Sequence, residues 1–318
     1  MKAALVKEAG QAPIYADFAD PVAGDGVVRV KVAASALSHI TKSRAGGAHY
    51  SSHATCPFVP GIDGTGTLDD GTRVYFVMPE APFGGMAEYC LVEATRCIPL
   101  PAALDDVVAA AMAIPGMSSW AAFVERAKLA KGETVLINGA TGASGRLAVQ
   151  IAKHLGASRV IATGRDEATL QSLRGHGADV TIGLTQDKAT LETEFQHQFR
   201  AGVDVVLDYL WGPSAELILA AAAKVAPDAV PIRFIGIGSV SAPTITLPSA
   251  VIRSTAIELM GSGIGSVPMP RVFHAIAQVL NAAVPAGFQI ESRVVPLREV
   301  ARYWATQEGR ARTVFTPI

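Results

Sequence analysis

Three glycines near the middle of the chain have a spacing suited to phosphate binding. Gly139, Gly142 and Gly145 follow the pattern G-x-x-G-x-x-G. Glycine permits a tight turn and a close backbone approach to a pyrophosphate, whose oxygens are then bound by the N–H groups of a helix N-terminus. Alone the pattern is a weak signal, because any glycine-rich turn between a strand and a helix resembles it.

The elements on either side of these glycines make the signal more specific. Residues 134–137 are an apolar run typical of a strand that is buried on both faces. Beyond the turn, Leu147, Ile151 and Leu155 recur every four residues, which predicts the apolar face of a helix. A glycine turn between two such elements predicts a dinucleotide site. Its predicted contacts are Thr141, Gly142, Ala143, Ser144, Gly145 and Arg146.

The end of the next predicted strand indicates which dinucleotide is bound. It reads Thr163-Gly164-Arg165-Asp166, where enzymes that use NAD usually carry an acidic residue that holds the ribose 2′-hydroxyl. Gly164 leaves room for a 2′-phosphate, and Arg165 can pair with that phosphate bidentately. Asp166 is the one residue that favours NAD, but it is better placed to cap the following helix. We therefore predict NADP(H), bound by Thr163, Gly164 and Arg165.

The pattern of elements predicts two domains. The first ~115 residues contain short β-type runs and turns typical of a β-rich, barrel-like domain. From about residue 116, strands alternate with helical segments, which predicts an α/β domain with a doubly wound parallel sheet. The predicted strands of this sheet are 134–137, 159–163, 180–182, 203–208, 233–238 and 256–261. We expect residues 266–318 to complete the first domain (1–116), leaving 117–265 as the second.

Composition excludes several other classes of protein. The chain has 318 residues with 27 basic and 28 acidic side chains, so no nucleic-acid partner is expected. The N-terminus lacks the apolar core of a signal peptide, and the apolar stretch 107–124 is interrupted by Pro115, which argues against a membrane span. Three cysteines without a C-x-x-C pair indicate reduced thiols and a cytoplasmic protein.

Taken together, these segments resemble the medium-chain dehydrogenase/reductases over nearly the whole chain, most closely their zinc-free quinone oxidoreductase branch. The matching segments are 58–66, 83–89, 147–153, 177–179 and 203–208. The resemblance implies a GroES-like substrate domain and a Rossmann domain, with the active site in the cleft between them. It also implies a homodimer joined at the sheet edge near the sixth strand.

The zinc ligands of related alcohol dehydrogenases are not matched. Those enzymes carry Cys at the position of Ser38 and the ligand His at the position of Ile62. A catalytic zinc needs three N, S or O protein ligands, and isoleucine cannot serve. We predict no metal, with His39, His49 and His53 as solvated loop residues. Without a Lewis acid, hydride addition to a conjugated acceptor is easier to explain than alcohol oxidation.

The resemblance also suggests catalytic residues. Zinc-free relatives have Asn and Asp at the positions of Ser38 and Thr41, so this chain departs at both, whereas Tyr50 matches a tyrosine that follows shortly after. Tyr50 is the candidate to orient or protonate the substrate oxygen, since its phenol can donate a hydrogen bond; simple packing of a loop is an equally good interpretation. Ser38 would contact the nicotinamide or the substrate, or only fill a small pocket.

Further cofactor contacts follow from the same resemblance. His39 aligns with a position that touches the pyrophosphate, and Ser118 aligns with a threonine near the nicotinamide. Ile237 and Gly238, at the end of the fifth strand, should bring main-chain groups to the carboxamide. Arg312 is either a phosphate contact or a surface charge.

The sequence therefore predicts an NADPH-dependent, zinc-free oxidoreductase that transfers hydride to a small quinone or α,β-unsaturated carbonyl compound. Two alternatives stay open. One is a dinucleotide-binding regulatory or structural protein with little catalysis, suggested by the departures at Ser38 and Thr41. The other is a metal-free, NAD-linked alcohol dehydrogenase, supported by Asp166 alone.

Overall fold

The computed structural model describes residues 1–47, 56–306 and 310–317. The chain forms two compact units, one of Met1–Ile114 with Ala277–Ile318 and one of Pro115–Ile276. The strands are β1 (Lys2–Leu5), β2 (Ile14–Asp17), β3 (Val27–Ala36), β4 (Asp63–Leu68), β5 (Arg73–Val77), β6 (Tyr89–Glu93), β7 (Cys97–Pro99), β8 (Thr134–Asn138), β9 (Arg159–Gly164), β10 (Val180–Gly183), β11 (Val205–Asp208), β12 (Ile232–Gly236), β13 (Ile257–Gly261), β14 (Ser292–Pro296) and β15 (Arg312–Thr316).

The helices lie mostly in the second unit. They are α1 (His39–Ala45), α2 (Asp106–Ala121), α3 (Ala143–His154), α4 (Glu167–Arg174), α5 (Lys188–Arg200), α6 (Gly212–Val225), α7 (Ser249–Arg253), α8 (Met269–Ala283) and α9 (Val300–Trp304). A π-helical turn, Ala122–Ala127, continues α2. The sequence placed the second domain boundary at residue 265, before α8, whereas the division between the compact units falls inside this helix.

The second unit contains the six-stranded parallel sheet that the sequence predicted. Its strand order is β10-β9-β8-β11-β12-β13, which is the doubly wound Rossmann order. The fifth strand ends two residues earlier than predicted, at Gly236. The Ile237 N–H makes the last bond of the ladder, to the carbonyl oxygen of Asp208 at 2.8 Å, and the Gly238 N–H shares this acceptor at 3.2 Å, so the regular pairing with β11 ends here.

The first unit is built on a largely antiparallel sheet, in agreement with the predicted β-rich domain. Its order is β14-β15-β3-β4-β5-β7, and β6 pairs with β3. β3 continues to Ala36 through a register shift between Val32 and Ala34 in its pairing with β4. The C-terminal strand β15 pairs with this extension of β3, with Val314 opposite Ala36.

The long apolar helix α2 contains Pro115. This proline interrupts the apolar run of the sequence, but α2 runs through it and the helical stretch reaches Ala127. By length and hydropathy this stretch could cross a membrane, and 67% of its most apolar window is buried inside the protein. Such burial is typical of a core helix of a globular domain.

Candidate functional site

The predicted dinucleotide loop joins β8 to α3 as a tight turn. Gly139, directly after β8, has φ of 92°, a conformation that favours glycine. Gly142 is the N-cap of α3 and supplies no side-chain capping bond. The N–H groups of the first helical turn, from Ala143 to Gly145, have no acceptor within the helix and therefore suit an anion.

Two glycines of this loop differ in how much space surrounds them. A Cβ on Gly145 would lie 2.4 Å from the carbonyl oxygen of Gly139 and 2.6 Å from the Cα of Ala140. A Cβ on Gly142 would meet nothing closer than 3.8 Å. Gly145 is thus required for the helix to pack on the turn, and Gly142 faces open space. The loop fits a dinucleotide pyrophosphate.

A buried polar network supports the loop from below. The Thr163 hydroxyl donates to the Asn138 side-chain oxygen at 2.8 Å, and the Asn138 amide donates to Asp208 Oδ1 at 2.8 Å. All three side chains are fully buried. Thr163 also accepts the N–H of Gly139 at 3.3 Å. Its hydroxyl is therefore engaged within the protein, and the structure gives Thr163 a supporting position instead of the exposed one that direct cofactor contact requires.

Asp208 was not singled out by the sequence analysis, although it holds the turn after β11. Its carboxylate accepts the N–H groups of Leu210 at 2.9 Å and of Trp211 at 3.1 Å. Burial raises the pKa of Asp208. Trp211 has φ of 58°, a conformation that costs a non-glycine residue about 1–3 kcal/mol. The hydrogen bonds that the Leu210 and Trp211 N–H groups donate to Asp208 offset this strain.

Gly164, at the end of β9, is required for a different reason from the one that the sequence suggested. A Cβ on Gly164 would lie 2.3 Å from Cγ2 of Thr141. The space beside Gly164 is thus filled by Thr141 and not left open for a phosphate, and the same contact excludes an acidic side chain. Arg165 is exposed and makes no hydrogen bond or ion pair with the described residues. Asp166 caps α4 by accepting the N–H of Thr169 at 2.7 Å, which confirms its predicted role.

The main chain after β12 offers carbonyl oxygens. Because the N–H groups of Ile237 and Gly238 are bound to Asp208, only the carbonyls of these residues can meet a carboxamide. Both residues line an open groove of about 440 Å³ together with Trp211 and Met260.

Ser118 and its neighbour lie in α2. The half-buried Ser118 hydroxyl donates to the carbonyl of Pro115 at 2.9 Å. Ser119, which no sequence motif indicated, is fully buried; its hydroxyl lies 2.8 Å from the Tyr209 hydroxyl and donates to the carbonyl of Ser144 at 3.0 Å. Burial raises the pKa of Tyr209. Ser119 thus connects α2 to the first turn of α3, inside the predicted dinucleotide loop.

The predicted catalytic residues belong to the first unit. Ser38 is 5% exposed and caps α1, accepting the N–H of Thr41 at 3.1 Å and sharing a 2.9 Å hydrogen bond with its hydroxyl. These contacts agree with the pocket-filling interpretation of Ser38, and its catalytic role stays a prediction. His39 is exposed at the first residue of α1. Tyr50 lies outside the described residues.

The position of the zinc-ligating histidine is apolar in the structure. Ile62 lines a small cavity of about 70 Å³ with Thr41, Phe58 and Phe83. Within residues 1–47, 56–306 and 310–317, no three His, Cys, Asp or Glu side chains are grouped so as to hold a metal ion.

Arg312 is not the surface charge that the sequence analysis allowed for. It is 7% exposed and donates from Nη2 to the carbonyl of Leu37 at 3.1 Å. Its position on β15, beside the extension of β3, places it in the interior of the first unit.

The parallel sheet and the glycine loop define a dinucleotide-binding domain of the Rossmann type, and comparisons with known proteins identify the family. A family described as zinc-binding dehydrogenases matches residues 143–282. A probable NADPH-dependent quinone reductase of Emericella nidulans is 31% identical over 254 residues, which cover 70% of this chain and 71% of that protein. The chloroplastic NADPH-dependent alkenal/one oxidoreductase of Arabidopsis thaliana is 31% identical over 177 residues, covering 50% of this chain and 45% of that relative.

A solved structure agrees in fold. The quinone oxidoreductase of Thermus thermophilus superimposes with a TM-score of 0.80 at 24% identity, covering 99% of this chain and 100% of that one. The chain belongs to the medium-chain dehydrogenase/reductase superfamily, in its quinone oxidoreductase-like branch. The resemblance found in the sequence is thereby confirmed.

Proposed function

We propose that this protein is an NADP(H)-dependent oxidoreductase that reduces quinones or α,β-unsaturated carbonyl compounds. The observation that carries the proposal is the uncapped N-terminus of α3 within its glycine turn, followed at the end of β9 by the exposed Arg165. The names of the two relatives, a quinone reductase and an alkenal/one oxidoreductase that both use NADPH, support the same chemistry.

The residues of the second unit suit the parts of the cofactor. The N–H groups of Ala143 to Gly145 would hold the pyrophosphate, and Arg165 the 2′-phosphate. The carbonyls of Ile237 and Gly238 would accept hydrogen bonds from the carboxamide. When bound, NADPH supplies a hydride.

The chain's own part in the reaction is to stabilise the acceptor without a metal. A quinone or enone delocalises the incoming charge onto its oxygen, where one well-placed hydrogen-bond donor stabilises the anion, and a proton from that donor or from water completes the reduction. Isoleucine at position 62, which has no atom able to bind a metal, supports a zinc-independent enzyme.

The activity is tested by turnover with purified, metal-analysed protein. We expect NADPH oxidation with naphthoquinone or cyclohexenone as acceptor, unchanged after dialysis against a chelator. No turnover of cyclohexanol with NADP⁺ is expected. Stoichiometric zinc on which turnover depends would contradict the proposal. NADPH binding without turnover of any acceptor would favour a dinucleotide-binding regulator.

Tyr50 is the proposed hydrogen-bond donor to the substrate oxygen. Tyr50→Phe removes only the hydroxyl, so we expect kcat to fall by about 10²- to 10⁴-fold, the usual contribution of a general acid, with little change in NADPH affinity. Ser38→Ala should act mainly through the α1 cap, lowering stability by about 1 kcal/mol. Steady-state kinetics and urea unfolding separate the two effects. An unchanged kcat in Tyr50→Phe would assign Tyr50 to loop packing.

We also propose a homodimer joined at β13. This strand is the edge of the parallel sheet, and Leu259 on it is 39% exposed. An apolar sheet edge with unpaired backbone groups favours pairing with the same strand of a second copy. Leu259→Lys is expected to give a monomer by light scattering, whereas Val22→Lys, a control at an 83% exposed valine of the first unit, keeps the dimer. A wild-type monomer at micromolar concentration would refute the interface.

A further inference from the structure

A buried acid, a phenol and a guanidinium form a polar cluster in the first unit that the proposed reaction does not use. Asp63 on β4 is 1% exposed, and its Oδ2 accepts the Tyr75 hydroxyl at 2.8 Å. Arg312 on β15 contributes the only positive charge that acts on this carboxylate among the described residues. A fully buried acid is expensive to ionise unless it is compensated, so this cluster requires an explanation.

Each charged member of the cluster has one polar atom without a partner. Asp63 Oδ1 and Arg312 Nε are both buried and hydrogen-bond to no described residue. One is an acceptor and the other is a donor. Both residues are held beside the end of β3, where the Ser35 hydroxyl donates to the Asp63 carbonyl and Arg312 donates to the Leu37 carbonyl. The charge of Arg312 lowers the pKa of Asp63, and the two groups interact without a direct ion pair.

Arg312 connects this cluster to the segment that carries the predicted catalytic residues. Its Nη2 donates to the carbonyl of Leu37, and the next residue, Ser38, is the N-cap of α1. His39 is the first residue of that helix. The position of the Arg312 guanidinium therefore affects the position of the residues that begin α1.

We propose that Asp63 is a positioning residue whose ionised carboxylate, through its charge, holds the Arg312 guanidinium on the Leu37 carbonyl and so fixes the first turn of α1 for the reduction. This role rests on the proposed function as far as catalysis is concerned. The positioning itself is a property of the first unit.

Thermodynamic reciprocity gives the sign of the pH dependence. Burial raises the pKa of Asp63 to about 6, although the Tyr75 hydrogen bond and the charge of Arg312 both lower it. Since Arg312 in place favours the ionised carboxylate, the ionised carboxylate equally favours Arg312 in place. The groups that face Asp63 are Tyr75 from β5, Arg312 from β15 and, from β3, the neutral Ser35 hydroxyl, which donates to the Asp63 carbonyl at 2.7 Å. Below about pH 6 the guanidinium loses its anionic partner.

The first experiment measures positioning without any substrate. Hydrogen exchange of the α1 peptide, corrected for intrinsic rates, is compared above and below the pKa of Asp63 in wild type and in Asp63→Asn. We expect wild-type α1 to lose protection about tenfold at the lower pH, and the variant to be equally unprotected at both. A peptide from α5 in the second unit is the internal control. Protection that is independent of pH in wild type would overturn the proposal, whatever the activity.

The second experiment connects positioning to the reaction. The kcat/KM of wild type should fall below about pH 6. Tyr75→Phe should raise the pH of this acidic limb of the pH profile by about one unit, because the variant lacks the hydrogen bond that Tyr75 donates to the ionised Asp63 carboxylate. Asp63→Asn should be about tenfold slower at high pH with no limb. Tyr89→Phe is the matched control, since Tyr89 on β6 packs against Arg29 and not against Asp63. A limb unmoved in Tyr75→Phe would overturn the catalytic role.

The two experiments distinguish the possible failures. If α1 responds to pH as expected but no acceptor is reduced by wild type, the proposed function fails and the positioning by Asp63 stands. If acceptors are reduced and α1 does not respond, the proposed function stands and Asp63 has no positioning role.

Discussion

Gly145→Ala is expected to raise the dissociation constant for NADPH by at least about a hundredfold, which corresponds to about 2.7 kcal/mol. The new methyl group would lie 2.4 Å from the Gly139 carbonyl oxygen and 2.6 Å from the Cα of Ala140. Both neighbours are backbone atoms and cannot move aside as a side chain can, so the start of α3 must shift. The N–H groups of the first turn then no longer point at one pyrophosphate position, and the geometry on which anion binding depends is lost.

The matched control for this prediction is Gly175→Ala, at the C-cap of α4 in the same unit and outside the predicted loop. It adds the same methyl group at a φ of −70°, with the nearest atom 3.5 Å away, so affinity should be unchanged. Titration by tryptophan fluorescence gives both constants, and circular dichroism shows whether each variant is folded. Alanine is otherwise the better helix former, so a loss confined to Gly145→Ala arises from the steric contact. Equal affinities for the two variants would place the pyrophosphate elsewhere.

The parallel sheet was predictable because short runs of consecutive residues are enough to indicate its strands. The central strands β8, β9 and β11 are apolar runs that are buried almost throughout, and the segments between the six strands have helical periodicity. Pro115 served in the sequence only as an argument against a membrane span, and nothing in the local pattern indicated that a helix runs through it. A proline removes one hydrogen bond, but the packing of a buried helix overrides this local cost.

The polar network beneath the loop was not predictable from spacing. Asn138 is opposite Asp208 on one side and opposite Thr163 on the other, because β8 pairs in register with both β11 and β9. The sequence separations do not indicate this register. A signal did exist, since a polar residue lies at or near the carboxyl end of each of three predicted strands, and parallel strands bring those ends to one edge of the sheet.

The cofactor loop was therefore identified from the sequence, but the sequence did not show why each position in and around the loop has the residue it has. Gly164 was interpreted as leaving room for a phosphate, whereas the Thr141 side chain occupies that room. Such a contact joins two loops that approach each other only in the folded sheet. Arg312 is a similar case, since its burial follows from the pairing of β15 with β3 and not from its neighbours in sequence.

The contact at Gly164 changes what can be expected of the cofactor preference. In a protein with open space there, Gly164→Asp would be the natural change toward NADH. Here the new side chain would meet Thr141, so Gly164→Asp should weaken both nucleotides through the loop instead of reversing the preference. Selectivity between NADPH and NADH then depends on an attraction to the 2′-phosphate and not on the exclusion of the 2′-hydroxyl.

Arg165 is the residue expected to supply that attraction. It follows β9 directly, is exposed, and has no hydrogen bond or ion pair with the described part of the chain that would compete with a ligand. Hydrogen bonds between charged groups contribute about 1.5–3 kcal/mol, so Arg165→Ala should raise the dissociation constant for NADPH about ten- to a hundredfold. The constant for NADH, which lacks the 2′-phosphate, should be unchanged, and the two nucleotides should bind with similar affinity.

Arg174→Ala is the control that tests whether any loss of positive charge from the second unit weakens NADPH binding. Arg174 is an exposed arginine on α4 that bonds to Thr181 at 3.0 Å, so its loss lowers the net positive charge of the same unit by the same amount. If both variants weakened NADPH equally, the preference would be a long-range effect of charge, which increasing salt would screen. If Arg165→Ala alone removes the preference, the 2′-phosphate is bound at the end of β9. A preference for NADH in the wild type would instead revive the NAD-linked alternative and leave Arg165 as a solvated side chain.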